Sequence, residues 1–399
     1  MIERAKTDIV IMGGCGHVGL PLGIALADRG LRVDLYDISA DSVALVNKGE
    51  MPFMEPGAED VLRRVIDDGM LQASDDRRTI GRAGTVILVI GTPIDKHLNP
   101  DPWAVRQALA DIATELQSGQ LLVLRSTVYP GVTRMVEALI DELGLDVDVA
   151  FCPERIAEGK AMTELYELPQ IVASRSDRGR ARAEKLFRHL TDKIVYLSPE
   201  EAELAKLFTN TWRYIKFATA NQLFMIANSY GLDFERIRLG LADGYQRAED
   251  MPGAGFAAGP CLFKDTMQLA AFDNNNFTLG HAAMMINEGL PMYVISQMER
   301  TWDLSSMSVG ILGMAFKGGS DDVRSSLSYK LKRILGYRAK GVLCTDEYVT
   351  SDPDLIPLDE VLASADVLII GAPHAAYVDI EISKPVVDIW NIRGAGVKI

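Results

Sequence analysis

The chain has 399 residues, of which 48% are hydrophobic and 24% are charged. At about 150 residues per domain, this length predicts two or three domains with sizeable cores, and the composition excludes a protein that is disordered throughout. The chain has 41 basic and 55 acidic residues, so its net charge is −14. This charge disfavours a nucleic-acid partner, because an acidic surface repels phosphate backbones.

The cysteines and the amino terminus give no sign of disulfides, metal or membrane. Cys15, Cys152, Cys261 and Cys344 are far apart and form no CxxC pair, so we expect neither a disulfide framework nor a metal site. The charged amino terminus runs straight into a glycine-rich turn, which leaves no room for a signal peptide. No apolar run approaches the ~18 residues of a membrane helix. These features predict a cytoplasmic protein without a membrane partner.

The first half of the chain alternates strand and helix signals. An apolar-periodic stretch after the first strand predicts a helix that ends near Ala27. Buried strands separated by helical stretches predict an α/β fold, with a parallel sheet covered by helices on both faces. The predicted strands are 8–12, 32–36, 86–90, 121–124 and, with a weaker signal, 147–151.

The pattern changes near Ser198. Ser198 as a cap, Pro199 as the first helical residue and the acids that follow predict a helix that runs to about Tyr230. A second helical stretch covers 278–302, where Pro291 predicts a kink. The strand and helix alternation then returns, with strands predicted at 308–312, 341–344, 367–370 and 385–389 and a helix at 327–337. The sequence therefore predicts an α/β part, a helical part and a second α/β part. Long helices between α/β parts often form dimer interfaces.

A GxGxxG pattern lies between the first strand and the first helix. Gly14 permits a tight turn, Gly16 lets the backbone approach a pyrophosphate, and Gly19 allows close packing of the helix on the strand. Asp37 ends the next strand, where its carboxylate can bind the ribose hydroxyls of NAD and would repel the extra phosphate of NADP. The alternative is a glycine turn without a ligand. The predicted NAD-binding residues are Gly14, Gly16, His17, Val18, Gly19, Asp37, Thr92, Pro93, Ser126 and Thr127.

The glycine-rich segment 253–260 leads into Cys261. If Pro260 is the first residue of a helix, Cys261 lies in the first turn, where N–H groups and the helix dipole favour a thiolate. Asp265 is four residues further on, so we expect it on the same helix face and within reach of the sulfur. This pattern favours a nucleophile, and the alternative is a small buried apolar cysteine.

Two more motifs place polar side chains where a substrate could bind. Lys206 and Asn210 are one turn apart on the long helix, so a cation and an amide could together hold a developing alkoxide. Glu154 and Glu158 follow a strand at the edge where ligands bind in α/β sheets, and could act as general base or substrate ligands. The alternatives are solvated surface charges in both places.

A third motif lies in the second α/β part. Lys317 and Arg324 flank a glycine loop that follows a predicted strand. Two cations beside such a loop suit a diphosphate. The alternative is a charged loop with no ligand.

In this order, the motifs resemble the UDP-glucose/UDP-mannose dehydrogenase family, the nucleotide-sugar 6-dehydrogenases, over essentially the whole chain. The family-like segments are the glycine fingerprint, PERIAEGKA, EAELAKLFTNTWRY, GFAAGPCLFKD and AFKGGSDDVRSS. The resemblance implies oxidation of a sugar 6-hydroxymethyl group to a carboxylate, with two NAD and one water. It also implies two Rossmann-like domains, 1–197 and 304–399, around a helical region, 198–303. Such enzymes are commonly dimeric through the central helices, and the substrate site is completed across the dimer interface.

The resemblance implies a role for each motif. Cys261 matches the nucleophile that forms a thiohemiacetal and then a thioester, and Asp265 matches the carboxylate that orders a water or acts as a base. Lys206 and Asn210 match the residues that stabilise the oxyanions. Proton transfer and hydrolysis are assisted by the residues that match Thr127, Glu154 and Glu158. The implied substrate-binding residues are Glu154, Lys206, Asn210, Gly259, Lys317 and Arg324.

Some features depart from the family pattern. Phe263 stands where many members have proline, and the chain is shorter than many members near 344–357. The substrate therefore stays open among UDP-glucose, a UDP-N-acetylhexosamine and a related NDP-hexose. One alternative is a two-electron 3-hydroxyacid dehydrogenase, which would need neither Cys261 nor residues 307–399. The other is a non-catalytic NAD-binding protein, which would have no reason to keep Cys261, Lys206 and Asp265 together.

Overall fold

The computed structural model describes residues 7–92, 95, 100–257 and 259–399. Its contacts divide the chain into two compact units, a first unit that ends at Phe208 and a second unit that begins at Thr209. Each unit is built around its own sheet. Among the described helices, none is both long and apolar enough to cross a bilayer.

The first unit contains an eight-stranded sheet with the strand order β3-β2-β1-β4-β5-β6-β7-β8. Its strands are β1 (Ile9–Met12), β2 (Val33–Tyr36), β3 (Leu71–Ser74), β4 (Thr85–Leu88), β5 (Leu121–Leu124), β6 (Asp148–Phe151), β7 (Gln170–Ala173) and β8 (Ile194–Leu197). The first six are parallel, as the sequence predicts. The last two run the other way, because β7 pairs antiparallel with β6 and β8 pairs parallel with β7.

Helices cover both faces of this sheet. Ile9 and Ile11 of β1 belong to one buried cluster and Val10 and Met12 to another, because successive side chains of a strand point to opposite faces. The helices are α1 (Gly19–Asp28), α2 (Ala40–Asn47), α3 (Glu59–Asp67), α4 (Trp103–Asp111), α5 (Val132–Glu142), α6 (Ala161–Glu167) and α7 (Asp177–Phe187). The predicted two-sided α/β layering is thus confirmed.

The long helix α8 (Pro199–Ser229) begins where the sequence predicts. Its start is a capping box, in which the Ser198 N–H donates to the Glu201 carboxylate at 2.8 Å and the Glu201 N–H donates to the Ser198 hydroxyl at 3.4 Å. The helix has 31 residues, so the predicted length is also confirmed.

The second unit contains a smaller parallel sheet with the order β10-β9-β11-β12. The central strand β9 lies between β10 and β11 as β1 lies between β2 and β4, which is the arrangement of a second Rossmann-like sheet. Its strands are β9 (Ser308–Leu312), β10 (Gly341–Thr345), β11 (Val367–Ile370) and β12 (Val386–Val387), and its helices are α9 (Phe234–Ala242), α10 (Leu262–Phe272), α11 (Thr278–Thr301), α12 (Leu327–Arg338) and α13 (Leu358–Ser364). Helix α11 continues through the buried Pro291.

Candidate active site

The glycine-rich turn between β1 and α1 is shaped by close backbone contacts. Gly13 has a φ of +77°, and a Cβ atom there would lie 1.8 Å from the Val89 carbonyl oxygen. A Cβ on Gly19 would lie 2.3 Å from the Gly13 carbonyl oxygen, so the start of α1 packs directly on the turn. Gly14 is buried, whereas Gly16 is exposed and its nearest neighbour lies 3.7 Å from a built Cβ. The turn therefore leaves one face open to a ligand.

The surroundings of this turn fit the diphosphate and ribose of a dinucleotide. Within the described chain, no side chain caps the amino end of α1 and no acid lies in its first turn, so its N–H groups can bind an anion. The half-buried Asp37 carboxylate, just past β2, accepts the Cys15 N–H at 3.0 Å and the Ser39 N–H at 3.1 Å. These two bonds fix the acid beside the turn, where a ribose would lie.

Polar side chains connect the carboxyl ends of β4 and β5. The Ser126 hydroxyl accepts the Ile90 N–H and donates to the Ile90 carbonyl, both at 2.8 Å. The Thr92 hydroxyl donates to the Thr127 carbonyl at 2.6 Å. The predicted residues Thr92, Ser126 and Thr127 therefore form one cluster at the edge of the sheet. Pro93 lies outside the described residues.

Two predicted residues, His17 and Glu158, meet in the first unit. The His17 ring packs against Phe53 at a tilt of 34°, with 4.0 Å between centroids, and its Nδ1 lies 3.9 Å from a Glu158 carboxylate oxygen. Glu55, which the sequence reading did not single out, accepts the N–H groups of Gly159 and Ala161 at 2.9 and 2.8 Å. The turn that carries Glu158 is thus held on a buried carboxylate beside the glycine-rich turn.

Glu154 is buried and tightly bonded. One carboxylate oxygen accepts the Arg155 and Ile156 N–H groups at 2.7 and 3.0 Å, and the other pairs with the fully buried guanidinium of Arg125. Arg125 also donates to the Cys152 carbonyl at 3.0 Å. These contacts make Glu154 the anchor of its loop, and the proton-transfer role that the resemblance implies stays a prediction.

Lys206 is 7% exposed on α8, one turn before Asn210. Three residues before Lys206, the buried Glu203 caps the amino end of α5. It accepts the Gly131 N–H at 2.7 Å, the Thr133 N–H at 2.8 Å and the Thr133 hydroxyl at 2.6 Å. This cap fixes the first turns of α8 against α5 and so sets the position of Lys206 in the first unit.

Cys261 is the exposed one of the four cysteines and immediately precedes α10. The helix begins at Leu262, one residue later than Cys261 would require to lie inside the first turn, so Cys261 is the N-cap residue. Burial and the nearby Asp37 carboxylate raise the pKa of the Cys15 thiol to about 12. Burial likewise raises the pKa of Cys152 to about 12 and that of Cys344 to about 11. Those three thiols stay protonated at neutral pH, which leaves Cys261 as the nucleophile candidate.

Asp265 is fully buried, four residues after Cys261. Its N–H donates to the Cys261 carbonyl at 2.9 Å, and its carboxylate accepts the side-chain N–H of the buried Asn210 at 2.5 Å. The Lys264 ammonium lies 3.6 Å from the other carboxylate oxygen. The structure thus brings the predicted residues Asn210 and Asp265 together, over 55 positions of sequence.

The loop before Cys261 is fastened at two points. Asn221 of α8 bonds both the N–H and the carbonyl of Gly255 at 3.0 Å, and its amide also donates to Asn287 of α11 at 2.9 Å. Gly259 has a φ of +107°, and a Cβ there would lie 2.8 Å from the Phe316 ring. Only glycine fits this position, so the predicted Gly259 shapes the approach to Cys261.

The loop after β9 carries Lys317 and Arg324. The Lys317 ammonium lies 5.4 Å from the centre of the Phe316 ring. Arg324 is half exposed and donates to both carboxylate oxygens of Asp322 at 2.9 Å. Lys317 and Arg324 thus lie on one loop, and a ligand phosphate would compete with Asp322 for the guanidinium.

Three family models match the chain in sequence order. They describe the NAD binding domain of the UDP-glucose/GDP-mannose dehydrogenase family over residues 7–191, its central domain over 200–289 and its UDP binding domain over 310–394. The chain belongs to this family. It is an NAD-dependent nucleotide-sugar dehydrogenase, so the resemblance and the NAD cofactor are both confirmed.

Relatives of this dehydrogenase agree in length and fold. The UDP-N-acetyl-D-mannosamine dehydrogenase of Pyrococcus horikoshii is 30% identical, over 91% of this chain and 89% of its own. A solved structure of UDP-D-ManNAc dehydrogenase from P. horikoshii has a TM-score of 0.89 and 28% identity, over 97% of this chain and 96% of the other. A UDP-glucose dehydrogenase from Pyrobaculum islandicum also has a TM-score of 0.89, at 24% identity over 100% and 98% of the two chains. The fold is therefore similar to those of dehydrogenases named for different sugars.

Sequence reasoning missed several residues that hold the dehydrogenase site in place. Gly13, Glu55, Arg125 and Glu203 bind backbone or predicted site residues, and each is buried or half buried. Glu203 had a local signal, because it lies three residues before Lys206 and therefore near the same helix face. Glu55 and Arg125 act on loops that only the folded sheet brings near them.

Proposed function

We propose that this dehydrogenase oxidises the C6 hydroxymethyl group of a UDP-linked hexose to a carboxylate, in two hydride transfers through a covalent bond to Cys261. The first substrate candidate is UDP-N-acetyl-D-mannosamine, the sugar in the name of the 30% identical relative. The observation that carries the proposal is the exposed Cys261 at the amino end of α10, in a chain whose other three thiols are buried.

The residues that would hold NAD are the turn around Gly16, the N–H groups of α1 and the Asp37 carboxylate. When bound, NAD supplies the acceptor for the hydride that leaves the sugar carbon. The exposed Gly16 lets the backbone approach a diphosphate, and the anchored Asp37 can accept the ribose hydroxyls.

The second oxidation, from aldehyde to acid, requires a nucleophile, and a cysteine can supply it. An aldehyde cannot readily give up hydride until a nucleophile adds to its carbonyl carbon. In the first oxidation the alcohol carbon loses a hydride and its hydroxyl loses a proton, which gives the aldehyde. The Cys261 thiolate then adds to the aldehyde carbon, and the C=O π bond opens to the oxyanion of a thiohemiacetal. The hydrogen on this carbon leaves as the second hydride while the oxyanion forms C=O again. The resulting thioester is cleaved by water, which releases the acid and returns the thiol. One alcohol, two NAD and one water are thus converted into one carboxylate, two NADH and protons.

Two side chains of α8, Asn210 and Lys206, stabilise the developing charge, and Asp265 of α10 orders water. Asn210 commits one side-chain N–H to Asp265 at 2.5 Å, which fixes its amide so that the second N–H can donate to an oxyanion. Lys206, one turn earlier on α8, supplies a cation for the same purpose. Asp265 is held by Asn210, and its other oxygen can orient the water that cleaves the thioester.

The test is a panel of nucleotide sugars assayed for NADH, with the product identified by mass. We expect about two NADH per sugar consumed, whereas a ratio near one would contradict the proposal and favour a two-electron dehydrogenase. Cys261→Ser should bind NAD like the parent and form no acid, because a serine hydroxyl is a far weaker nucleophile at neutral pH. The matched control is Cys344→Ser, which removes a buried thiol and should retain acid formation. Acid formation by Cys261→Ser at the parent rate would refute the covalent mechanism.

We also propose that the protein is a homodimer through α8 and α11. Trp212 and Ile226 are 58% and 49% exposed and lie on one face of α8, and Tyr230, which directly follows the helix, is 79% exposed. A groove of about 210 Å³ between α8 and α11 is lined mainly by apolar residues such as Ile215 and Ile286. Exposed apolar surface of this kind is typical of a protein interface, and the resemblance implies a second copy as its partner.

A further inference from the structure

A buried carboxylate organises the carboxyl edge of the sheet in the second unit. Asp346 directly follows β10, and its side chain is fully buried. One of its oxygens accepts the N–H groups of Met314 and Ala315, at 2.6 and 3.0 Å, from the loop that follows β9. The other accepts the N–H groups of Tyr348 and Val349, at 2.8 and 3.0 Å. One carboxylate therefore fastens the loops that follow two neighbouring strands.

His374 extends this network to the loop that follows β11. The Gly319 N–H donates to His374 Nδ1 at 3.0 Å, so that nitrogen must be unprotonated. The proton is then on Nε2, which lies 3.0 Å from the Asp346 oxygen and donates to it. The imidazole is fully buried, so both of its ring nitrogens are paired inside the protein. Through His374, the Asp346 carboxylate is therefore linked to the Gly319 N–H in the loop that follows β9.

The loop that this pair fastens is the one that carries Lys317. It packs closely against the residue before His374, because a Cβ on Gly318 would lie 2.3 Å from the Pro373 carbonyl oxygen. It is closed by the Phe316 N–H, which donates to the Asp322 carbonyl at 2.9 Å.

The same position is used differently in the first unit. Asp37 directly follows β2 as Asp346 directly follows β10, and both accept an N–H of the loop after the central strand. Asp37 is half buried, whereas all of Asp346 is committed to five hydrogen bonds. A ribose could reach the first acid only. The second acid is used for internal structure, so the second unit is not a second dinucleotide site of the same kind.

We propose that His374 and Asp346 form a positioning pair, which fixes the loop of residues 313–322 so that Lys317 meets the diphosphate of the nucleotide sugar. This inference rests on the proposed function for the identity of the ligand. A buried histidine beside an aspartate resembles a catalytic dyad, but the role that we assign to this pair needs no contact with substrate or cofactor.

Two substitutions separate the bonds of His374. In His374→Gln the amide nitrogen can take the place of Nε2 and keep the bond to Asp346, while the acceptor for Gly319 is lost. In His374→Asn the amide oxygen can take the place of Nδ1 and keep the bond from Gly319, while the donor to Asp346 is lost. The matched control is Tyr329→Phe, which removes the 2.8 Å bond from Tyr329 to Asp352 in the same unit but outside this loop.

Each variant of the full chain is measured by calorimetric titration with UDP and with NAD, and by hydrogen exchange of residues 313–322. We expect His374→Gln to raise the Kd for UDP about three- to thirtyfold, the effect of one lost buried hydrogen bond, and to leave the Kd for NAD unchanged. Exchange in the loop should become faster in His374→Gln than in His374→Asn. Tyr329→Phe should change neither the Kd for UDP nor the exchange of the loop.

Equal UDP affinity in His374→Gln and the parent would overturn the inference and leave the proposed function standing. Equal losses of UDP and NAD affinity would also overturn it, since they would indicate a general loss of structure. A parent protein that binds UDP but oxidises no UDP sugar would refute the proposed function, and weaker UDP binding by His374→Gln would then still support the inference. A parent that does not bind UDP would refute both.

Discussion

Glu203 offers a direct test of how the amino end of α8 is held. Glu203→Gln keeps the shape of the side chain but removes its charge and replaces one acceptor oxygen by an NH₂ group. The bond from the Gly131 N–H, at 2.7 Å, is then lost, because two donors face each other. The two bonds from Thr133, at 2.8 and 2.6 Å, become bonds to a neutral acceptor.

The magnitude follows from these three contacts. A hydrogen bond to a charged group contributes about 1.5–3 kcal/mol and a neutral one about 0.5–1.5 kcal/mol. One lost bond and two weakened bonds therefore lower the free energy of unfolding of the first unit by about 3–5 kcal/mol. For a unit of this size, the midpoint of thermal unfolding should fall by about 6–20 °C.

The assay is differential scanning calorimetry, with Glu201→Gln as the matched control. Glu201 lies on the same helical turn but in the exposed capping box of α8, so its substitution should lower the midpoint far less. Because Glu203 sets the position of Lys206, the variant should also lose activity at temperatures where it remains folded. A midpoint within about 2 °C of the parent would refute the view that this carboxylate holds α8 on α5.

Three further predictions concern the cofactor turn, acid stability and assembly. Gly19→Ala should weaken NAD binding in fluorescence titrations, because the new Cβ would lie 2.3 Å from a carbonyl oxygen of the turn. The control Gly336→Ala should bind NAD like the parent, because no atom lies within 4 Å of the new Cβ. Equal NAD affinities of Gly19→Ala and the parent would contradict this packing. Burial alone would raise the pKa of Asp346, but hydrogen bonds from His374 and the backbone outweigh this effect and lower the pKa to about 2. The contribution of Asp346 to the free energy of unfolding should therefore be complete above about pH 4 and be lost as the pH falls towards 2. Asp346→Asn should flatten that loss in unfolding experiments, and an unchanged acid transition would refute the assignment. Trp212→Glu should shift the protein from dimer to monomer in light scattering, and a parent that is already monomeric would exclude the proposed dimer.

The sequence predicted the elements whose patterns are local. The run 121–124 is apolar throughout, and Pro199 follows a capping serine, so β5 and the start of α8 were predicted to the residue. Strand β3 was not predicted, because Leu71–Ser74 (LQAS) has no β-branched residue and is stabilised by pairing with β2. The reversal of β7 against β6 likewise depends on pairing between distant segments.

In the candidate site, too, the sequence predicted local relations between residues but not the long-range contacts. The spacing of Lys206 and Asn210 was sufficient to place both on one helix, because four residues make one turn. The same rule led us to expect Asp265 near the sulfur of Cys261, whereas the bond that the structure shows for its carboxylate comes from Asn210, 55 positions earlier. A local spacing rule cannot predict such a bond, since the fold alone brings α8 and α10 together.

Because Cys15, Cys152 and Cys344 are buried, Cys261 can be labelled selectively in the protein without mutagenesis. A mild alkylating reagent reacts with exposed thiolates, so labelling of the native protein should add one group per chain, at Cys261. Intact-mass spectrometry would then count modified chains directly, and protection by a bound sugar would give an occupancy without any enzymatic turnover. Electrophilic sugar analogues could be ranked in the same way, as selective covalent inhibitors.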